Sequence, residues 1–157
     1  MNVAQLSSGF YATYFEFLKA PTALALADLC QALYDSSARR DGKQTLQFSF
    51  ATKLLHTLSP LLPIYDSLVA RFFLFKAPPR NRAAPERISK LTAFHGFLVT
   101  EYARVIDSGQ LATAIEAFRQ RFDPKEHTDE KILDWLIWKL VALADEGALL
   151  NGQIAYS

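Results

Sequence analysis

The chain has 157 residues, of which 50% are hydrophobic, and 17 Lys and Arg against 16 Asp and Glu give a net charge of +1. This length and composition predict one folded domain with a hydrophobic core, and they exclude a disordered chain and a multidomain machine. Charged residues interrupt every apolar run before the roughly 18 residues that a membrane-spanning helix needs, so we expect a soluble protein without a membrane partner.

The spacing of apolar residues at steps of three and four predicts helices along the whole chain. In chain order the predicted helices span residues 3–19, 22–35, 49–58, 66–75, 86–106, 110–122 and 128–143. We therefore predict an all-α fold, a single-domain bundle of six to eight helices over residues 1–157.

Local signals indicate several helix ends. Ala20-Pro21 ends the first predicted helix, and Thr22, Ser49 and Thr128 are predicted N-caps of later ones. Ser108-Gly109 supplies the glycine at which helices often end. Polar residues predict a loop over 39–44, and three prolines predict a mobile basic loop over 78–84.

Three parts of the chain allow a more specific structural prediction. Residues 44–50 alternate apolar and polar side chains, so a short strand or hairpin there is the alternative to helix. The helix of Trp135 and Trp138 has almost no polar face, so we expect it to lie at the centre of the bundle. Residues 72–75 include three Phe side chains that cannot all face one core, so at least one is expected to be exposed for bases or a partner.

Cysteine usage and the first residues bear on the compartment and on cofactors. The single cysteine, Cys30, excludes an intramolecular disulfide and a cysteine-rich zinc site. The first 20 residues lack the pattern of a secretory signal, so we expect a cytoplasmic protein. The three histidines have no partner at metal-ligand spacing and no phosphate-binding glycine motif occurs, so the sequence predicts neither a metal nor a cofactor.

Charge is distributed unevenly along the chain. Residues 39–90 contain 10 basic and 3 acidic side chains, a net charge of +7, and the remaining residues sum to −6. A basic surface with arginines on a loop is typical of phosphate binding, so we predict that this segment binds nucleic acid. The predicted phosphate contacts are Arg71, Lys76, Arg80, Arg82 and Arg87.

The charge asymmetry also has a second interpretation. The acidic and basic regions of a non-catalytic protein would meet in a homo-oligomer or in a complex with a protein partner. A stable oligomer that is indifferent to nucleic acid would favour this alternative over nucleic-acid binding.

Residues 49–71 contain the candidate catalytic side chains, Asp66 and Lys53. Asp66 has apolar neighbours at a predicted helix start, so it is either an N-cap or a carboxylate with a shifted pKa that acts as a base or charge stabiliser. The two roles are compatible. An enzyme that acts on a small substrate through Asp66 and His56 is a third hypothesis.

The same segment resembles part of a known family. Its residues fit the pattern apolar-apolar-Asp-Thr/Ser-x-Val-x-Arg of base-excision DNA glycosylases of the helix-hairpin-helix family, and they are Ile64-Tyr65-Asp66-Ser67-Leu68-Val69-Ala70-Arg71. The resemblance implies an all-helical fold in which Asp66 opens a helix and supports glycosidic-bond cleavage on a flipped-out base. Residues 51–58 would then belong to the second helix of the hairpin.

The segment departs from the family at two places. Residues 45–48 lack the glycine-rich hairpin turn, and Phe48 stands where the lysine nucleophile of bifunctional members would align, so Lys53 is the nearest substitute. We therefore predict a nucleic-acid-binding helical protein that is a divergent or inactive relative of these glycosylases.

Overall fold

The computed structural model describes residues 7–19, 25–36, 44–122 and 127–147, and the backbone of 149–150 and 153–154. These residues form seven α-helices and one two-residue antiparallel ladder, so the prediction of an all-α fold is confirmed. The elements are α1 (Ser8–Lys19), α2 (Leu26–Asp35), α3 (Phe48–Leu58), α4 (Ser67–Phe72), α5 (Ala84–Asp107), α6 (Ala112–Phe122), α7 (Asp129–Asp145), β1 (Leu149–Leu150) and β2 (Gln153–Ile154).

The longest helix, α5, lies at the centre of the bundle because it contributes to two hydrophobic clusters. Its first half packs Ile88 and Leu91 against α1, α2 and α3. Its second half packs a set of fully buried side chains against α4 and α7, and that set includes Leu98 and Tyr102. The two clusters together form one core, in which α5 is the shared wall.

The prediction that the Trp135 and Trp138 helix is central is wrong. In α7 the side chains of Trp138 and Leu140 are 46% and 42% exposed. The helix packs against α4, α5 and α6 through its other face, with Ile137 and Val141 among the buried residues. Periodicity identifies the apolar residues of a helix, but it does not say whether a second element covers the outer face.

The predicted strand or hairpin over 44–50 and the predicted Ser49 cap are also wrong. Residues 44–47 form no strand, and α3 begins at Phe48 with Gln47 in the cap position. Phe48 is buried, and its ring packs edge-on against Tyr65 and His95. These contacts with distant parts of the chain outweigh the local alternation of apolar and polar residues.

Two other predicted ends are confirmed. The Thr128 hydroxyl accepts a hydrogen bond from the Lys131 N–H and caps α7, and Gly109 adopts a φ of 67° just after α5. Helix α4 ends at Phe72, three residues earlier than predicted. The Thr22 cap, the helix end at Ala20-Pro21 and residues 39–43 of the polar loop lie outside the described residues.

The loop between α4 and α5 runs from residue 73 to residue 83. Pro85 falls in the first turn of α5, where its missing N–H removes no intrahelical hydrogen bond, so this helix starts two residues earlier than predicted. No helix in the part of the chain that the structure describes has both the length and the apolar character needed to cross a membrane.

Candidate functional site

The segment that leads to Asp66, residues 59–66, is held by side chains from three helices and from the cap of α7. Five side chains bond its backbone, and each bonds a different residue. The hydrogen bonds are His56 Nδ1 to Leu62 O (2.7 Å), His95 Nε2 to Pro63 O (2.9 Å), Ile64 N–H to Asp134 Oδ2 (3.1 Å), Tyr65 N–H to Thr52 Oγ1 (3.0 Å) and Thr128 Oγ1 to Pro60 O (3.0 Å). We call residues 59–66 the clamped loop.

This arrangement fixes the backbone that positions Asp66. The Asp66 carboxylate is half-buried, and its Oδ1 accepts a hydrogen bond of 2.8 Å from the Leu68 N–H, which caps α4. The cap role predicted for Asp66 is therefore confirmed. A carboxylate held by a cap and by a rigid approaching loop loses little entropy when it meets a ligand.

The most buried charged group of this region is Asp134 on α7, which sequence analysis missed. It is 6% exposed and accepts a hydrogen bond of 2.7 Å from the Tyr102 hydroxyl as well as the one from Ile64. Burial raises the pKa of its carboxyl, and these hydrogen bonds oppose the shift. An aspartate between Leu133 and Trp135 in an apolar run was the signal in the sequence.

A pocket of about 320 Å³ opens beside the clamped loop. It brings together the two candidate catalytic residues, Lys53 from α3 and Asp66 from the start of α4. Helix α7 forms the opposite wall, which no motif in the sequence indicated. The remaining lining residues are Ile64, Val69, Lys131, Asp134, Trp135 and Trp138.

The two lysines of the pocket differ in exposure. Lys53 is exposed, and its Nζ lies 5.8 Å from the centroid of the Phe50 ring. Lys131 is half-buried, and its Nζ lies 5.3 Å from the centroid of the Trp135 ring. Burial lowers the pKa of the Lys131 ammonium, the charge of Lys53 lowers it further, and the charge of Asp134 acts in the opposite direction.

The five predicted phosphate contacts lie in α4, in the loop that follows it and in the first turns of α5. Arg71 makes a two-pronged ion pair with Asp145 at the end of α7, so one basic residue already pairs with the acidic part of the chain. Lys76 is exposed beside a second cavity that Arg71 also lines. The other three lie in the turn before α5 or in its first turns, and they are Arg80, Arg82 and Arg87.

The end of α4 exposes apolar side chains, as predicted for residues 72–75. Phe72 is 43% exposed, whereas Phe73 and Phe75 are half-buried and Phe75 stacks on Phe94 at 3.9 Å between ring centroids. Leu74 is 88% exposed at a φ of 55°, a left-handed conformation that disfavours a leucine. This backbone directs Leu74 away from the core.

The three histidines have structural surroundings in the described residues. A carbonyl oxygen only accepts, so His56 Nδ1 and His95 Nε2 both donate to the clamped loop. The His127 ring packs edge-on against Trp135. Within residues 7–19, 25–36, 44–122 and 127–147, no three His, Cys, Asp or Glu side chains lie close enough together to hold a metal ion.

His95 makes the stability of the clamped loop depend on pH. Burial lowers the pKa of its imidazole below the usual value of 6.5. Below pH 6.5 the unfolded chain binds a proton that the folded chain still excludes, so stability is full above pH 6.5 and falls towards the lower folded pKa. We expect the urea midpoint of the wild type to fall more between pH 7 and pH 5 than that of His95→Gln.

The raised pKa of Asp134 acts with the opposite sign at low pH, because the folded state then binds the extra proton. Asp134 is present in both the wild type and His95→Gln, so the difference between the pH profiles of their urea midpoints isolates the effect of His95. Parallel pH profiles of the two midpoints would contradict the role assigned to this histidine.

The chain was compared with known protein families, with curated proteins and with solved structures. None of the three comparisons gave a match.

Proposed function

We propose that this protein binds nucleic acid through the pocket and the adjoining outer surface of α4 and α7. The observation that supports the proposal is that two lysines, Lys53 and Lys131, and two tryptophans, Trp135 and Trp138, line one pocket. Proteins that bind single strands combine cations for the backbone with aromatic rings for the bases. A pocket wall with both groups offers a phosphate and its base separate contacts.

The surface continues beyond the pocket along the two helices. The start of α4 lies beside residues 131–138 of α7, and Arg71 near the end of α4 contacts Asp145, so the two helices run in the same direction. A second cavity of about 500 Å³ lies at this far end, between Phe72, Lys76 and Leu140. Helix rise gives about 20 Å between residues 131 and 144, which is long enough for several nucleotides.

The resemblance to helix-hairpin-helix glycosylases supports the same proposal. It implies an aspartate that opens a helix, and Asp66 caps α4 at the edge of the pocket. We accordingly propose a divergent or inactive relative of that family, with Asp66 and Lys53 facing the bound strand. Activity of the wild type and of Asp66→Asn on damaged-base substrates separates a divergent enzyme from an inactive one.

A fluorescence-anisotropy titration tests the binding itself. Labelled single- and double-stranded DNA and RNA are titrated at low and moderate salt with the wild type and with Lys53→Ala/Lys131→Ala. The matched control is Lys19→Ala/Arg121→Ala, which removes two exposed basic residues of α1 and α6 that line neither the pocket nor the second cavity. Each lysine is expected to neutralise one phosphate, so the pocket variant should bind more weakly. The slope of its log binding constant against log salt concentration should be smaller by about two. The control variant should show neither change.

The loop arginines form a second arm of the same experiment. Arg80→Ala/Arg82→Ala is expected to weaken binding uniformly across sequences, as loss of phosphate contacts does. No binding at low salt, or equal losses in the pocket variant and its control, would contradict the proposal. A stable oligomer of the wild type that ignores nucleic acid would favour a protein partner, for which the exposed Leu74 and Phe72 are the contact candidates.

A further inference from the structure

Lys131 has surroundings that differ from those of the other lysines that the structure describes. It is half-buried in the pocket, whereas the side chains of Lys19, Lys53, Lys76, Lys90 and Lys139 are exposed. It stands in the first turn of α7, whose N-cap Thr128 fixes the backbone of Lys131. Its Nζ lies over the Trp135 ring, 5.3 Å from the ring centroid.

The groups that face Lys131 come from three elements. Lys53 from α3 and Asp66 from the start of α4 line the same pocket, and Asp134 and the Trp135 ring come from α7 itself. Asp134 and the aromatic ring favour the ammonium form, and burial and Lys53 favour the neutral amine. Burial is the largest of the effects on its pKa, and the net shift is downward.

We propose that the Lys131 amine condenses with an aldehyde held in this pocket and forms an imine with it. A lysine that is partly desolvated and stands beside a second cation is the arrangement that makes an amine nucleophilic near neutral pH. The exposed Trp138 ring offers the pocket an apolar surface, so an aldehyde with an aromatic body fits there. The inference goes beyond nucleic-acid binding and does not depend on it.

The reaction balances without an oxidant or reductant. The lone pair of the neutral Nζ attacks the carbonyl carbon, and the C=O π electrons move to the oxygen to give a carbinolamine after proton transfer. The nitrogen lone pair then forms the C=N bond while the C–O bond breaks, and the oxygen leaves as water. In this proposal the Asp66 carboxylate, which lines the same pocket, accepts the proton from nitrogen and returns it to the departing oxygen.

Reductive trapping on the full wild-type chain tests the proposal. Benzaldehyde and sodium cyanoborohydride are added near neutral pH, the hydride reduces any imine to a stable secondary amine, and peptide mapping by mass spectrometry gives the labelling rate at each lysine. We expect Lys131 to be labelled several-fold faster than Lys139, the exposed lysine of the same helix. Equal or slower labelling of Lys131 would overturn the proposal.

A variant tests the cause of the reactivity. Lys53→Met removes the neighbouring cation, so the pKa of Lys131 rises and the labelling of Lys131 at neutral pH slows. At a pH above the pKa of Lys131, its labelling rate stays the same as in the wild type. Lys139→Met is the control and leaves the Lys131 rate unchanged. A Lys131 rate that is identical in both variants at every pH would contradict the assigned role of Lys53. Benzaldehyde needs no nucleic acid, so a failed anisotropy titration does not alter this result.

Discussion

Asp134→Ala is expected to lower the free energy of unfolding by about 3 kcal/mol, because it leaves two buried donors without an acceptor. The donors are the Tyr102 hydroxyl and the Ile64 N–H, which both bond the Asp134 carboxylate. Alanine restores neither bond and leaves a small cavity. Urea denaturation monitored by circular dichroism gives the change, since the unfolding midpoint falls in proportion to it.

The matched control for this prediction is Asp145→Ala on the same helix. Asp145 is exposed and pairs with Arg71 at the surface, so its removal is expected to leave the midpoint nearly unchanged. An Asp134→Ala midpoint that matches the wild type would show that the clamped loop does not depend on this carboxylate. Loss of the Asp134 hydrogen bond to the clamped loop would also displace the backbone that leads to Asp66. The proposed nucleic-acid binding is therefore expected to weaken together with stability.

Leu98→Ala is expected to cost about 3 kcal/mol, whereas Leu140→Ala is expected to cost less than about 1 kcal/mol. Leu98 of α5 is fully buried in the cluster that α4, α5 and α7 share, so its truncation leaves a cavity between three helices. Leu140 of α7 is 42% exposed, so its truncation removes little buried surface.

The comparison of these two leucines tests which helix is central. Urea denaturation of both variants in the same buffer gives the two free-energy changes. A loss at Leu140 equal to the loss at Leu98 would mean that the outer face of α7 is covered, and it would contradict the exposure of Leu140.

Local patterns in the sequence predict the parts of this fold that depend on local interactions. The all-α class follows from apolar spacing, and the Asp66 and Thr128 caps follow from residue types that bond free backbone donors within three residues. The start of α3 at Phe48 does not follow, because it depends on rings 17 and 47 residues away, those of Tyr65 and His95.

The candidate site was predictable only in part for the same physical reason. Lys53 and Asp66 were recognisable from a segment of 23 residues, but their opposite wall is α7, whose position depends on how the bundle packs. Asp134 and Lys131 lie in a helix that apolar content alone places in the core. Only the packed structure shows that Trp138 is exposed on α7 and that Lys131 lines the pocket.

The most direct test of the proposal that the pocket binds nucleic acid is the intrinsic fluorescence of the protein. The chain has two tryptophans, Trp135 and Trp138, and both line the pocket, so their emission reports on that site. Unlabelled single-stranded DNA is titrated at about 50 mM and about 200 mM salt, with Lys53→Ala/Lys131→Ala in parallel. We predict saturable quenching at the lower salt concentration that weakens at the higher one and in the variant, because bases stack on the rings while the lysines hold the phosphates. Emission that stays constant at both salt concentrations would contradict the account.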